Sequence, residues 1–198
     1  MVDTYLANKF ESLLKNSGIE DISWFITRRK PFDYLKSIYS EMSNYGMVLD
    51  LKLLANLAIK YGYVSPGGRN YNYKFIFDIC KFSNIFKEEV NENLEIIEFE
   101  NFIKDFAGKC LIENFISEKR ISILSKSALE IGILNKKATE ENIEFRYFAN
   151  FLGIEVSQYD SFFLQNKSLV NGIISNRIKR NRILAKEIEL AFKKRFIL

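Results

Sequence analysis

Apolar residues recur three and four positions apart along most of this chain, the spacing that gathers them on one face of an α-helix. Residues 3–16 place Leu6, Phe10, Leu13 and Leu14 in that pattern, and Asn16-Ser17-Gly18 supplies the stop. After a short stretch around Trp24 and Phe25, Pro31 opens a second helix, since proline is tolerated in a first turn; Phe32, Leu35, Ile38, Tyr39 and Met42 share one face of it. A third helix over residues 49–61 is strongly apolar through Leu51, Leu54, Ala55, Ala58 and Ile59, is closed by Gly62, and is expected to be central to the first core.

The pattern changes between residues 63 and 76. Ser65-Pro66-Gly67-Gly68-Arg69-Asn70 is the densest turn signal in the chain, and Tyr63-Val64 and Tyr71-Asn72-Tyr73 flank it with β-favouring residues. Two forms satisfy this segment: a short hairpin resembling the wing of a winged-helix module, with Arg69 near its tip, or an irregular aromatic-rich loop between helices. The apolar set returns over residues 74–86, and helices are predicted over 94–106, 109–118 and 121–131, the last broken by Gly132. Residues 133–140 are the most defensible boundary. Thr139 begins an imperfect capping box with Asn142. The predicted fold is therefore all-α, with at most one short hairpin near 63–75. It divides into a helical domain over 1–138, for oligomerisation or partner docking, and a second over 139–198.

Composition supports long uninterrupted elements, because only two prolines occur among 198 residues. With 47% apolar and 27% charged residues the chain is expected to fold around a core. Cys80 and Cys110, flanked by apolar residues and without a second pair, read as two buried thiols of a reducing cytoplasm. No run is long and apolar enough to cross a bilayer and the first residues do not resemble a leader, so a cytoplasmic location is expected, with no membrane partner.

Histidine is absent, which excludes the usual serine and cysteine triads and imidazole metal sites. Pro66-Gly67-Gly68 lacks the Gly-Lys-Ser/Thr of a phosphate loop, and the glutamates between 88 and 100 read as a solvated face. The chain is expected to be non-catalytic, with no cofactor and no metal. Its net charge of +4 is modest but unevenly placed. Residues 87–105 hold two lysines against seven carboxylates, whereas 176–198 hold eight cations against two, so the two regions present opposite fields.

One motif lies beside that basic end. In residues 145–164, Ala149 supplies a small residue where two helices could touch. Gly153, four positions later, tolerates the positive φ of a tight turn, and Phe148, Leu152, Ile154, Tyr159 and Phe162 can hold both helices to a domain. Ser157 could open the second helix as its N-cap. This stretch resembles the helix-turn-helix of phage-repressor domains, and Leu184-Ala-Lys-Glu-Ile-Glu-Leu-Ala-Phe192 is similar to the closing helix of many of them. The resemblance covers about 50 of the 198 residues. It implies that Ser157, Gln158, Asp160, Ser161 and Gln165 face the major groove of double-stranded DNA, with Arg177, Lys179, Arg180 and Arg182 gripping phosphate. A homodimer, acting as a transcriptional regulator or mobile-element accessory factor, would follow. The same residues also satisfy an ordinary helical hairpin. On that alternative the aromatic-rich chain is a protein–protein interaction or assembly module, such as a defence, phage or secretion accessory protein, with an exposed aromatic patch around residues 61–73.

Overall fold

The computed structural model describes residues 4–65, 74–131 and 138–196. In chain order the elements are α1 (Tyr5–Asn16), β1 (Trp24–Arg28), α2 (Pro31–Asn44), α3 (Leu51–Tyr61), β2 (Tyr63–Val64), β3 (Phe75–Ile76), α4 (Ile79–Glu89), β4 (Leu94–Glu98), α5 (Phe99–Phe102), α6 (Lys109–Ile112), α7 (Glu118–Ile131) and α8 (Glu140–Phe151), followed by a 3-10 turn (Val156–Gln158) and α9 (Tyr159–Arg195). The fold is mostly helical, as the spacing predicts. Among the described residues, no helix is long and apolar enough to cross a membrane.

Contacts divide the chain into two units, neither of them continuous. Residues 1–29 and 78–135 form the first; residues 30–77 and 136–198 form the second. The sequence suggests a single division at 138/139; the contacts instead group residues 30–77 with 136–198, because α2 and α3 share their core with Tyr147, Ile188, Phe192 and Phe196.

In the second unit Leu35, Ile38, Tyr39 and Met42 of α2 and Leu51, Leu54, Ala55 and Ala58 of α3 share one core with Val64, Phe77, Tyr147, Ile188, Phe192 and Phe196. Each fully buried large aliphatic here, such as Leu35 or Leu54, contributes about 1.5–3 kcal/mol. Asp50 caps α3 by accepting a hydrogen bond from the Lys52 backbone at 2.9 Å. Antiparallel pairing of Tyr63 with Ile76 and Val64 with Phe75 supplies the hairpin form of that segment. The Pro66–Asn70 turn, with Arg69, lies outside the described residues, as do Gly132 and most of the predicted boundary.

The first unit departs further from expectation. Residues 94–98, predicted as helix, form a strand running parallel to β1, with Trp24 opposite Leu94 and Arg28 opposite Glu98. The adjacent β-branched Ile96 and Ile97, matched by Ile26 and Thr27, favour extended pairing over local helical spacing. Only Phe99–Phe102 of that prediction remains helical, α6 is a single turn, and α7 starts earlier than its apolar spacing indicates. In α1 the predicted core residues Leu6, Phe10 and Leu13 are exposed, whereas Glu11 is buried. Its carboxylate accepts from Trp24 Nε1 at 2.7 Å and Asn91 Nδ2 at 2.9 Å, and pairs with Lys15 at 2.7 Å. Trp24 in turn meets Phe86 edge-on at 5.2 Å. The cysteines are not the buried thiols expected: Cys80 is exposed and Cys110 intermediate. In α4 the buried residues are Ser83 and Phe86, and at 100° per residue Cys80 falls well off that face.

Candidate functional site

Residues 139–196 build a helical corner within the second unit. Thr139 begins α8 by accepting from the Asn142 backbone at 3.2 Å, the half of a capping box that Thr-x-x-Asn allows. The helix ends as its sequence predicts. Gly153 takes φ +74°, and Gly153 and Ile154 donate back to the carbonyls of Asn150 and Ala149, both at 2.9 Å. Ala149 is fully buried at this end. The chain restarts on Glu155, not on Ser157. Glu155 and Gln158 form a reciprocal capping box, with the Gln158 side chain accepting from the Glu155 backbone at 3.4 Å.

The helix beginning at Tyr159 is short. Asn166 interrupts α9 with non-helical φ −120°, ψ 20°, and its side chain donates to the Phe162 carbonyl at 3.0 Å. The segment before this break packs on Phe145, which meets Tyr159, Phe162 and Phe163 at ring distances of 5.7, 6.3 and 5.3 Å. Phe148 also meets Phe162 at 6.5 Å and Asn150 meets Tyr159, so falling positions of α8 meet rising positions of this segment in antiparallel order. The same order continues after Asn166, where Glu144 meets Arg177 and Asn181 and Glu140 meets Arg182. The closing helix is therefore not separate, as the family pattern implies; it continues α9 from residue 167 and lies antiparallel to α8. Val170, Ile174 and Ile178 fill the space beneath it with Phe145, Phe148, Phe162 and Phe163.

The five proposed base-contacting residues, Ser157, Gln158, Asp160, Ser161 and Gln165, are all exposed. Two already have intramolecular partners: Gln158 in the capping box, and Ser161, whose hydroxyl donates to the Gln158 carbonyl at 2.9 Å. The same region exposes large apolar side chains. Leu164 is 75% exposed, Leu169 67% and Phe151 65%, with Leu152 and Val156 also exposed.

Of the four proposed phosphate ligands, three meet carboxylates. Arg182 forks onto Glu140 at 2.7 and 3.0 Å, and Arg180 pairs with Asp50 at 2.5 Å. Arg177, partly buried, donates to Glu144 at 2.8 Å and stacks 3.9 Å from the Tyr147 ring centroid. Lys179 is exposed. Four cations thus stand against three carboxylates, and the positive patch expected from this stretch is largely neutralised. Arg177 in particular is a structural residue. Burial opposes its charge, but Glu144 and then Tyr39 more than compensate and hold its pKa above the ordinary value.

Glu144 is the centre of this network. It accepts from the Tyr39 hydroxyl at 2.9 Å and from Asn181 Nδ2 at 2.7 Å, in addition to Arg177. Burial, and then the Glu144 carboxylate, push the Tyr39 hydroxyl far up from its ordinary pKa, so it remains a neutral donor. A second polar anchor is Asn150, which donates to the Ser43 carbonyl at 3.0 Å and accepts from the Tyr159 hydroxyl. Neither role was read from the sequence. The available signal was the position of Glu144 and Asn150 three residues either side of buried Tyr147, where a polar side chain in a core register needs a partner.

The corner also encloses an open groove of about 1010 Å³ between α8 and α9, with Asn44 of α2 at its edge. Phe145, Val156 and Phe163 give it apolar walls, and Arg146, Asn142 and Asn171 are among its polar lining. Arg146 is partly buried and donates to Asn44 Oδ1. Comparison of the chain with protein-family models, with curated proteins and with solved structures finds no match.

Proposed function

We propose that this chain is a non-catalytic protein-docking module whose docking end is the glycine corner of the second unit. The observation that carries the reading is the exposure of large apolar side chains along residues 151–169: Phe151, Leu152, Val156, Leu164 and Leu169. Exposed apolar surface is where a protein partner gains most by covering it. At 100° per residue Leu164 falls between Asp160 and Ser161 on the exposed edge, with Gln165 beyond Ser161. Covering it and its neighbours with a partner polypeptide is favourable by about 25 cal/mol per Å².

Duplex DNA is the second reading, and the exposure of Ser157, Gln158, Asp160, Ser161 and Gln165 on one edge favours it. The charge balance weighs the other way. Affinity for DNA grows with the number of phosphates neutralised, and Arg177, Arg180 and Arg182 already meet carboxylates of their own chain.

Two measurements on the full chain decide between them. Fluorescence anisotropy with duplex DNA at low and moderate salt is expected to give no binding beyond the weak level of any basic protein. A photo-crosslinking residue at position 161, in cells expressing the chain, is expected to yield a discrete protein adduct that Leu164→Asp removes and Lys186→Asp leaves intact. Salt-steep DNA binding lost when Lys179, Arg180 and Arg182 become Glu would overturn the docking reading, as would an adduct indifferent to Leu164→Asp.

A further inference from the structure

The groove between α8 and α9 contains a charge that has no counter-ion among the described residues. Arg177, Arg180 and Arg182 each meet a carboxylate, whereas Arg146 meets none among the described residues; its contact is one hydrogen bond from Nη1 to Asn44 Oδ1. A partly buried guanidinium has lost some of its hydration, and it offers its remaining N–H groups in a planar fork that matches a carboxylate. Asn44 holds the group in place but does not neutralise it.

The rest of the lining narrows the occupant. Asn142, Asn171 and Ser175 carry side chains able both to donate and to accept, placed on two helices along the same groove. Such groups suit the alternating N–H and C=O of an extended main chain. The aromatic walls Phe145 and Phe163 suit the apolar side chains it would carry. Glu141 and Asp160 line the groove as well, and they repel a run of phosphates or of acidic residues. A single carboxylate seated on the arginine fork, with a basic or neutral residue next to the two acids, satisfies all the charged groups.

Building on the docking reading above, we propose that this groove seats a short extended segment of the partner polypeptide, with an Asp or Glu side chain on Arg146. Charge complementarity at Arg146 sets the register of the segment, and the exposed apolar corner adds contact area beyond it.

The test uses the full chain and a displayed library of random peptides, from which enriched sequences are synthesised and titrated by anisotropy. Enriched peptides are expected to carry an acidic residue beside aliphatic or aromatic ones. Their affinity is expected to fall about tenfold or more in Arg146→Gln, the loss of one charge-assisted hydrogen-bonded pair. Asn171→Trp, at an exposed position where the fold tolerates bulk, is expected to block the groove equally, with unchanged circular dichroism. Lys186→Asp, at an exposed position outside the groove lining, should leave peptide affinity unaltered. Peptides that bind Arg146→Gln and Asn171→Trp as tightly as the parent, or a library that yields none, overturn the groove assignment; the crosslinking experiment still judges the docking reading independently. Binding of duplex DNA that Arg146→Gln abolishes would identify phosphate as the counter-ion and overturn both.

Discussion

Replacing Glu144 by alanine removes at one stroke the acceptor for three donors: Tyr39 Oη at 2.9 Å, Asn181 Nδ2 at 2.7 Å and Arg177 Nε at 2.8 Å. Breaking a buried ion pair from one side costs about 3–5 kcal/mol, because the other charge is left desolvated and unpaired. The Arg177 side chain keeps 16% of its exposure and Asp50 lies 4.0 Å away, so the expected cost falls near the lower limit, about 3 kcal/mol. Arg177→Ala strands the carboxylate with two neutral donors and also loses the stacking on Tyr147, for a similar cost of about 3 kcal/mol. The two losses share one interaction. The double variant is therefore expected to be about 2 kcal/mol more stable than the sum of the singles predicts. Glu144→Leu with Arg177→Met, which removes both charges and keeps the volume, should cost little. Urea unfolding followed by far-ultraviolet circular dichroism measures all of these; fluorescence would not serve, since the single tryptophan, Trp24, lies in the first unit. Lys179→Ala, on the exposed side of the same helix, is the control and should stay within about 0.5 kcal/mol of the parent. Additivity of the two single variants within about 0.5 kcal/mol, or a loss below about 1 kcal/mol in either, would refute the structural assignment of Arg177 and restore it as a candidate for contacting a ligand.

Two glycines of the second unit should respond in opposite directions in the same urea assay. Gly153 has φ +74° and open space where a Cβ would stand, so Gly153→Ala should destabilise by about 1–2 kcal/mol through backbone conformation alone. Gly172, inside α9 with equally open space, should become more stable by up to about 1 kcal/mol as alanine. Burial raises the pKa of Glu11, but hydrogen bonds from Lys15, Trp24 and Asn91 outweigh it and hold the carboxyl below its ordinary value of 4.5. Its contribution is therefore complete above that value and lost as pH falls through the lower, folded one. Glu11→Gln should lower stability near neutrality and flatten its decline in acid, read by Trp24 fluorescence; parallel pH profiles would contradict this. A maleimide reagent should label exposed Cys80 before Cys110, and the reverse order by peptide mapping would count against the placement of α4.

Local signals in the chain proved reliable where they depended on neighbours in sequence. Pro31 at the start of α2, Gly62 at the end of α3 and Gly153 at the corner each follow from backbone conformation, which a residue carries wherever it occurs. Tertiary choices were not legible in the same way. The apolar spacing of residues 94–106 is compatible with a helix, and only the presence of Trp24–Arg28 as a parallel partner turns its first five residues into a strand. In α1, Leu6, Phe10 and Leu13 have the spacing of a core face, yet the inward position goes to Glu11 because Trp24 and Asn91 offer it hydrogen bonds that a leucine could not accept. The division of the chain was obscured for a related reason. Hydrophobic periodicity tells which face of α2 is covered, but not that Tyr147, Ile188 and Phe192 cover it.

The candidate site shows the same limit acting on charge. From composition alone, residues 176–198 carry a strong positive excess, and a helix-turn-helix beside it is naturally read as a phosphate-binding face. Three carboxylates remote in sequence offset half of that excess: Asp50 reaches Arg180 across 130 positions, Glu140 reaches Arg182 across 42, and Glu144 reaches Arg177 across 33. A helical corner does not itself distinguish a base-reading edge from a protein-docking edge, since both need a glycine turn, a packed inner face and an open outer one. The distinction lies in which charges remain after the fold has made its own pairs. Here three arginines that looked available meet carboxylates, Arg146 in the groove meets none among the described residues, and the outer edge carries an exposed leucine. A polyanion finds fewer unpaired cations on residues 176–182 than their composition suggests. On the docking reading proposed above, a polypeptide with one acidic residue and apolar neighbours would find a partner for each of its groups, in the groove and at the exposed apolar residues.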